Sequence, residues 1–188
     1  MSESEAPSAA RVVVGVSGSP GSIMALCRAA REARHRSAEL WPVLAWIPPG
    51  GELSARRFPP PNDLVDQWEH LARERLLTAL DDAFGAVGPG VAMHALVARG
   101  TTGPALVEIA GREDDLLVVG AGRRSPWHRA VTRSVSHYCL THATCPVLAV
   151  PPSPLESDLA AVHRRNRWRL RLDTRHLVSG RETVPPDA

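Results

Sequence analysis

Lysine is missing from this chain: all 22 basic residues are arginine. Its absence excludes a phosphate-loop lysine, a Schiff-base lysine and a lysine general base, and with them several enzyme classes. Aromatic residues make up only 4% of the sequence. The three cysteines, Cys27, Cys139 and Cys145, form no CxxC pair and share no spacing, which argues against a disulfide framework or a zinc ribbon and for a reducing compartment. Long apolar runs are lacking too. The opening MSESEAPSAA is polar, and the VVVGV behind it is too short for a signal-peptide core or a membrane span, so a cytoplasmic protein without membrane contact is expected. A net charge of +2, from 22 basic and 20 acidic residues, singles out neither a nucleic-acid binder nor an acidic disordered chain, and nucleic acid is not expected as a partner.

What is present is enough for one core. With 188 residues and 44% hydrophobic content, the chain should hold one domain with appendages. Residues 1–10 read as a disordered N-terminus, 11–151 as the domain, and 152–188 as an arginine-rich extension. Between His163 and His176 that extension carries six arginines around Trp168, Leu170 and Leu172. Such a segment could stack on bases or lie on a membrane; the preferred reading is packing against a partner subunit, because acids at Glu156, Asp158, Asp173, Glu182 and Asp187 dilute its charge.

Within the domain, apolar runs alternate with helical patterns. RVVVGV at 11–16 reads as a buried strand closed by Ser, Gly and Pro. Gly21 to Arg36 has helical spacing, with Ile23, Met24, Cys27, Ala30 and Ala33 as its apolar side. Leu40 to Ile47 predicts the second strand. Residues 48–62, with five prolines, predict a surface loop, and Asn62 or Asp63 is expected to cap a helix to about Ala86 that buries Leu64, Trp68, Leu71, Leu76 and Leu80. Val91 to Ala98, Leu116 to Gly120 and Pro146 to Val150 predict the remaining strands, with helices over Gly103–Arg112 and from a Ser134 cap to His142. Aliphatic strands alternating with helices call for an open, doubly wound α/β fold with a parallel sheet. Ligands in such sheets sit at the carboxyl ends of the strands where the order reverses, which directs attention to the loops after the first and fourth strands.

The first loop, Gly15-Val16-Ser17-Gly18-Ser19-Pro20-Gly21-Ser22, is built of small residues that suit either close backbone approach to an anion or a simple packing turn. It is not a nucleophile elbow, because Gly-x-Ser-x-Gly requires glycine where Ser19 stands. Gly120-Ala121-Gly122-Arg123-Arg124-Ser125 imitates a dinucleotide fingerprint but lacks the third glycine and follows the fourth strand rather than the first. His137 and His142 have no His-Glu-x-x-His arrangement and read as surface or core residues. The acids Glu113, Asp114 and Asp115 precede the fourth strand, at the end away from any such site. No residue set offers a nucleophile with its base or a metal site, so no catalytic residues are assigned and an enzyme is not expected.

The run from Leu116-Leu117-Val118-Val119-Gly120 through Arg133-Ser134-Val135-Ser136 to Cys145-Pro146-Val147, together with the VVVGVSGSP opening, Ala45-Trp46 and Arg99-Gly100, resembles the universal stress protein family over residues 11–151. The resemblance implies a five-stranded sheet of order 3-2-1-4-5, adenine nucleotide alpha hydrolase-like and Rossmann-like, and a homodimer through the last strand, Pro146 to Val150. It also implies, in one subgroup, ATP with Mg²⁺ held between the first loop and a Gly-x2-Gly-x9-Gly-Ser motif. The sequence departs from that motif. Gly120, Ser134 and Val135 match it, whereas Arg123 and Arg133 replace its second and third glycines, and Ser17 replaces the aspartate that usually follows the first strand. Side chains at such glycines add bulk where backbone amides would wrap phosphates. Arginine forks at 123, 124, 129 and 133 could instead hold an anion, or form a solvated basic loop. The expected role is therefore a regulatory or protective stress protein acting as an ATP-independent dimeric interaction module. The alternative is a nucleotide-binding regulator using Val16, Ser17, Gly120, Gly122, Arg123, Arg133, Ser134, Val135 and Ser136.

Overall fold

The computed structural model describes residues 9–121 and 134–151. The expectations for residues 1–8, for Gly122 through Arg133 and for the 152–188 extension lie outside the described residues. Five strands form one parallel sheet of order β3-β2-β1-β4-β5: β1 (Arg11–Gly15), β2 (Glu39–Trp46), β3 (Leu96–Arg99), β4 (Leu116–Gly120) and β5 (Val147–Val150). The α/β class and the strand order are those expected. Alternation along β1 explains how both faces are filled: Val12 and Val14 enter one core cluster and Val13 the other, all fully buried. Helices α1 (Pro20–Arg36) and α3 (Asn62–Phe84) cover the first face, and α4 (Thr102–Ile109) and α5 (Val135–His142) the second. Fully burying each such Val or Leu contributes about 1.5–3 kcal/mol.

Helix α1 buries Ala30 and Ala33 as expected, but not Ile23, Met24 or Cys27. Ala25, Leu26, Ala29, Ala30 and Ala33 are buried, while Met24 is 41% exposed. The row of alanines lets the helix lie close to the sheet, and close approach outweighs the size of the methionine. In α3, Leu76 and Leu80 are buried as expected, joined by Ala72 and Ala79, but Leu71 is exposed and Leu64 and Trp68 only half-buried. The expected Asn62 or Asp63 cap is also absent: Pro61 occupies the cap position and no side chain caps the helix. The helix ends at Phe84 and continues as a 3-10 turn over Gly85–Val87.

Two further expectations give way. Residues 48–62 are not all loop, because Gly51–Arg57 forms helix α2; its prolines stand only outside the helix, leaving Glu52 to Arg57 free to hydrogen-bond. The third strand begins at Leu96 rather than Val91; before it only Met93 bridges to Leu40.

The amino ends of the strands are locked by charge. Arg11, at the start of β1, donates from Nε to Asp115 Oδ1 at 2.8 Å and from Nη2 to Asp115 Oδ2 at 2.5 Å. Asp115 is 1% exposed and also accepts from the Arg112 backbone N–H at 3.1 Å. The remaining Nη2 bond goes to the Ile109 carbonyl at 3.1 Å, and the guanidinium lies 4.7 Å from the Trp41 ring. Among the described residues no buried side-chain nitrogen or oxygen lacks a hydrogen-bond partner, so the pair carries no unmet desolvation cost.

Candidate functional site

The reversal of strand order falls between β1 and β4, so their carboxyl ends form the mouth of the sheet. Val16 leaves β1 buried, donating its N–H to the Val43 carbonyl at 2.8 Å. Ser17, Gly18 and Ser19 then lie exposed, with Gly18 in the left-handed region at φ 74°. Ser19 caps α1, accepting from the Ser22 N–H at 3.4 Å, and its hydroxyl lies 3.0 Å from that of Ser17. Ser22 closes the loop from the other side: its hydroxyl donates to the Ser19 carbonyl at 2.8 Å and accepts from the Ser17 N–H at 3.2 Å. The serines of this loop are therefore bonded largely to one another.

Across the mouth, Gly120 ends β4 directly against α1. A Cβ at this position would stand 3.1 Å from the Gly21 carbonyl oxygen, so glycine is required here for packing, and the same closeness keeps the β4 end beside the α1 amino terminus. Ser134 caps α5, accepting from the His137 N–H at 3.1 Å, and its hydroxyl lies 3.1 Å from that of the buried Ser136. Val135, the first residue of α5, is 38% exposed.

Val16, Ser17 and Gly120 are thus brought to one edge, and Ser134, Val135 and Ser136 start the helix that follows the 122–133 segment. Among the described residues no hydrogen bond joins the two serine groups. The fit to a nucleotide is partial. Gly120 matches the motif but is packed against the α1 backbone, while Ser17 puts no carboxylate where the resemblance places one. Gly122, Arg123 and Arg133 lie outside the described residues.

Two contributors were not singled out from the sequence. Ser22 holds the loop shut, and its place one turn inside a capped helix was a usable signal. Arg75 approaches the Ser17 carbonyl to 3.5 Å from 58 residues away, a meeting no local pattern announces.

Elsewhere, His137 and His142 are exposed on α5, where the His142 ring stacks on Tyr138 at 4.1 Å. Burial pushes the Cys139 thiol up to about 11, with Cys145 as the second cause, and raises Cys145 as well. Both stay protonated near neutral pH and pack as small apolar residues. Among the described residues no helix is long and apolar enough to cross a membrane.

Comparison with known proteins gives this arrangement its context. Residues 9–151 match the sequence model of the universal stress protein family. The chain is similar to the universal stress protein Rv1996 of Mycobacterium tuberculosis, 30% identical over 156 residues, which covers 79% of this chain and 46% of that protein. A universal stress protein of Mycolicibacterium smegmatis is 30% identical over 141 residues, 75% of this chain and 45% of that one. The chain therefore spans about half the length of these curated relatives. Among solved structures, it is similar to a universal stress protein in complex with cAMP, 26% identical, with 77% of this chain and 98% of that one covered and a TM-score of 0.50. The universal stress protein of Archaeoglobus fulgidus is likewise 26% identical, covering 75% and 98% with a TM-score of 0.53. On the family match over residues 9–151, joined to the 3-2-1-4-5 sheet, this chain belongs to the universal stress protein family.

Proposed function

We propose that this protein is a regulatory or protective member of its family that works without turnover, as a cytoplasmic homodimeric interaction module that does not require ATP. The observation that carries this reading is the first loop. Its Ser17, Ser19 and Ser22 groups satisfy one another, so a nucleotide entering the mouth would have to break bonds already made. No carboxylate at position 17 compensates by taking a ribose hydroxyl. The dimer rests on β5, an edge strand. Pro146 and Val150 give their carbonyls to Leu117 and Ala121, so strand alternation turns the backbone groups of Val147 and Ala149 outward, ready for a second copy.

Sedimentation of the purified chain with and without ATP and Mg²⁺ tests both halves. At least a dimer is expected in either buffer, and Ala149→Pro, which removes an outward donor, is expected to abolish the β5 contact and halve the mass. A wild-type monomer, or a dimer that forms only with ATP, would overturn the reading.

The second reading, nucleotide binding, is favoured by the cAMP complex of the 26% identical relative. Arg123 or Arg133 would then hold phosphate, and Arg123→Glu would sharply weaken binding.

A further inference from the structure

From Pro49 to Leu71 no residue is buried, although the stretch contains Leu53, Phe58, Leu64, Val65, Trp68 and Leu71. Leu53 is 83% exposed and Phe58 73%. Helix α2 buries nothing, and α3 meets the core only from Ala72 onward. Leu53 and Phe58, on and beside a helix that buries none of its residues, are apolar surface in want of a cover.

The charges on it identify the cover. On α2, Arg57 stands one turn beyond Leu53, with Arg56 beside it; on α3, Asp63 and Asp66 are one turn apart. Other nearby charges are matched within the chain: Glu52 with Arg99 at 3.1 Å and Glu69 with Arg73 at 3.1 Å. Arg56, Arg57, Asp63 and Asp66 form no ion pair among the described residues. Pro59, Pro60 and Pro61 stand between the two pairs, a stiff extended spacer that keeps the arginines from folding back onto the aspartates of their own chain. Two positive and two negative charges, flanking exposed Leu and Phe and held apart in one chain, form a self-complementary surface. A two-fold contact needs this property, because residue i must meet residue j and j must meet i.

We propose that the α2–α3 segment is a self-association surface, independent of the β5 edge. In it, α2 of each copy lies across the first turns of α3 of the other, with Leu53 and Phe58 covered and Arg56 and Arg57 facing Asp63 and Asp66. The occupant is a second copy of this chain.

Two charge-reversed variants test it: Arg56→Asp with Arg57→Asp, and Asp63→Arg with Asp66→Arg. All four side chains are exposed, so both variants are expected to retain the wild-type circular dichroism spectrum. Each alone is expected to raise the dissociation constant of this association at least tenfold, halving the mass seen by sedimentation; mixing the two restores the wild-type mass, because opposite charges then meet across the axis. If the β5 dimer also forms, the series runs tetramer, dimer, tetramer; if it does not, it runs dimer, monomer, dimer. Failure of β5 pairing is therefore distinguishable from failure of this surface. A wild-type mass unchanged by either reversal, or variants that stay small when mixed, would overturn the proposal.

Discussion

The two ends of the sheet solve opposite problems with polar residues. At the amino end, Arg11 and Asp115 meet across 104 residues in a buried, bidentate pair whose remaining contacts go to the backbone and to Trp41. At the carboxyl end, the hydroxyls of exposed Ser17 and Ser19 and of buried Ser22 bond within the loop, to neighbours two to five residues away, and among the described residues only the Arg75 side chain reaches it from another element. The first arrangement fixes the fold, because breaking it strands a charge in the interior. The second is local: losing one of its bonds strands no charge, although a ligand entering the mouth would still have to displace bonds already made within the loop. Polar chemistry placed at the open end is therefore adjustable, and this chain has adjusted it away from the carboxylate and glycines of the motif it resembles.

The largest test of that contrast is Asp115→Ala. It should cost about 3–5 kcal/mol in urea unfolding, since Arg11 would be left buried and unpaired. A loss below about 1 kcal/mol would show that the amino end is no lock. Gly120→Ala should come next, at about 1–3 kcal/mol, because its Cβ must push against the Gly21 carbonyl. Ser19→Ala, which removes the α1 cap at the open end, should cost about 1 kcal/mol or less by the same measurement, well under Asp115→Ala. If the two losses were equal, the asymmetry between the ends would be wrong. The smallest effect concerns pH. The Cys139 thiol, raised from 9.0 to about 11 by burial, keeps its proton in the folded state longer than in the unfolded one. Its contribution to stability is thus complete below pH 9 and is lost as pH rises towards about 11; Cys139→Ala should flatten the decline in that window.

Much of the fold was legible because β1 and β4 are short aliphatic runs with one reading: buried parallel strands between helices. The Ser134 cap was equally plain, and α5 begins at Val135 as its spacing requires. Helix α2 was hidden because proline content was averaged over 48–62, whereas only the positions of the prolines matter to a helix. On α1, Ala30 and Ala33 were legible, whereas Ala25, Leu26 and Ala29 rather than Ile23, Met24 and Cys27 complete the inward side, because closeness to the sheet rather than side-chain size decides which positions are buried. Of the candidate site, the loop positions and the Gly120 approach could be read locally. The Arg11–Asp115 pair and the reach of Arg75 could not, since each joins residues that only the finished topology brings together.

The proposal to test first is that the mouth does not depend on ATP. Isothermal titration of the purified chain, freed of co-purifying nucleotide, with ATP and Mg²⁺ at moderate and high salt tests it most directly. The account predicts no binding heat up to millimolar ATP; micromolar binding would contradict it and make arginine-held nucleotide the working mechanism.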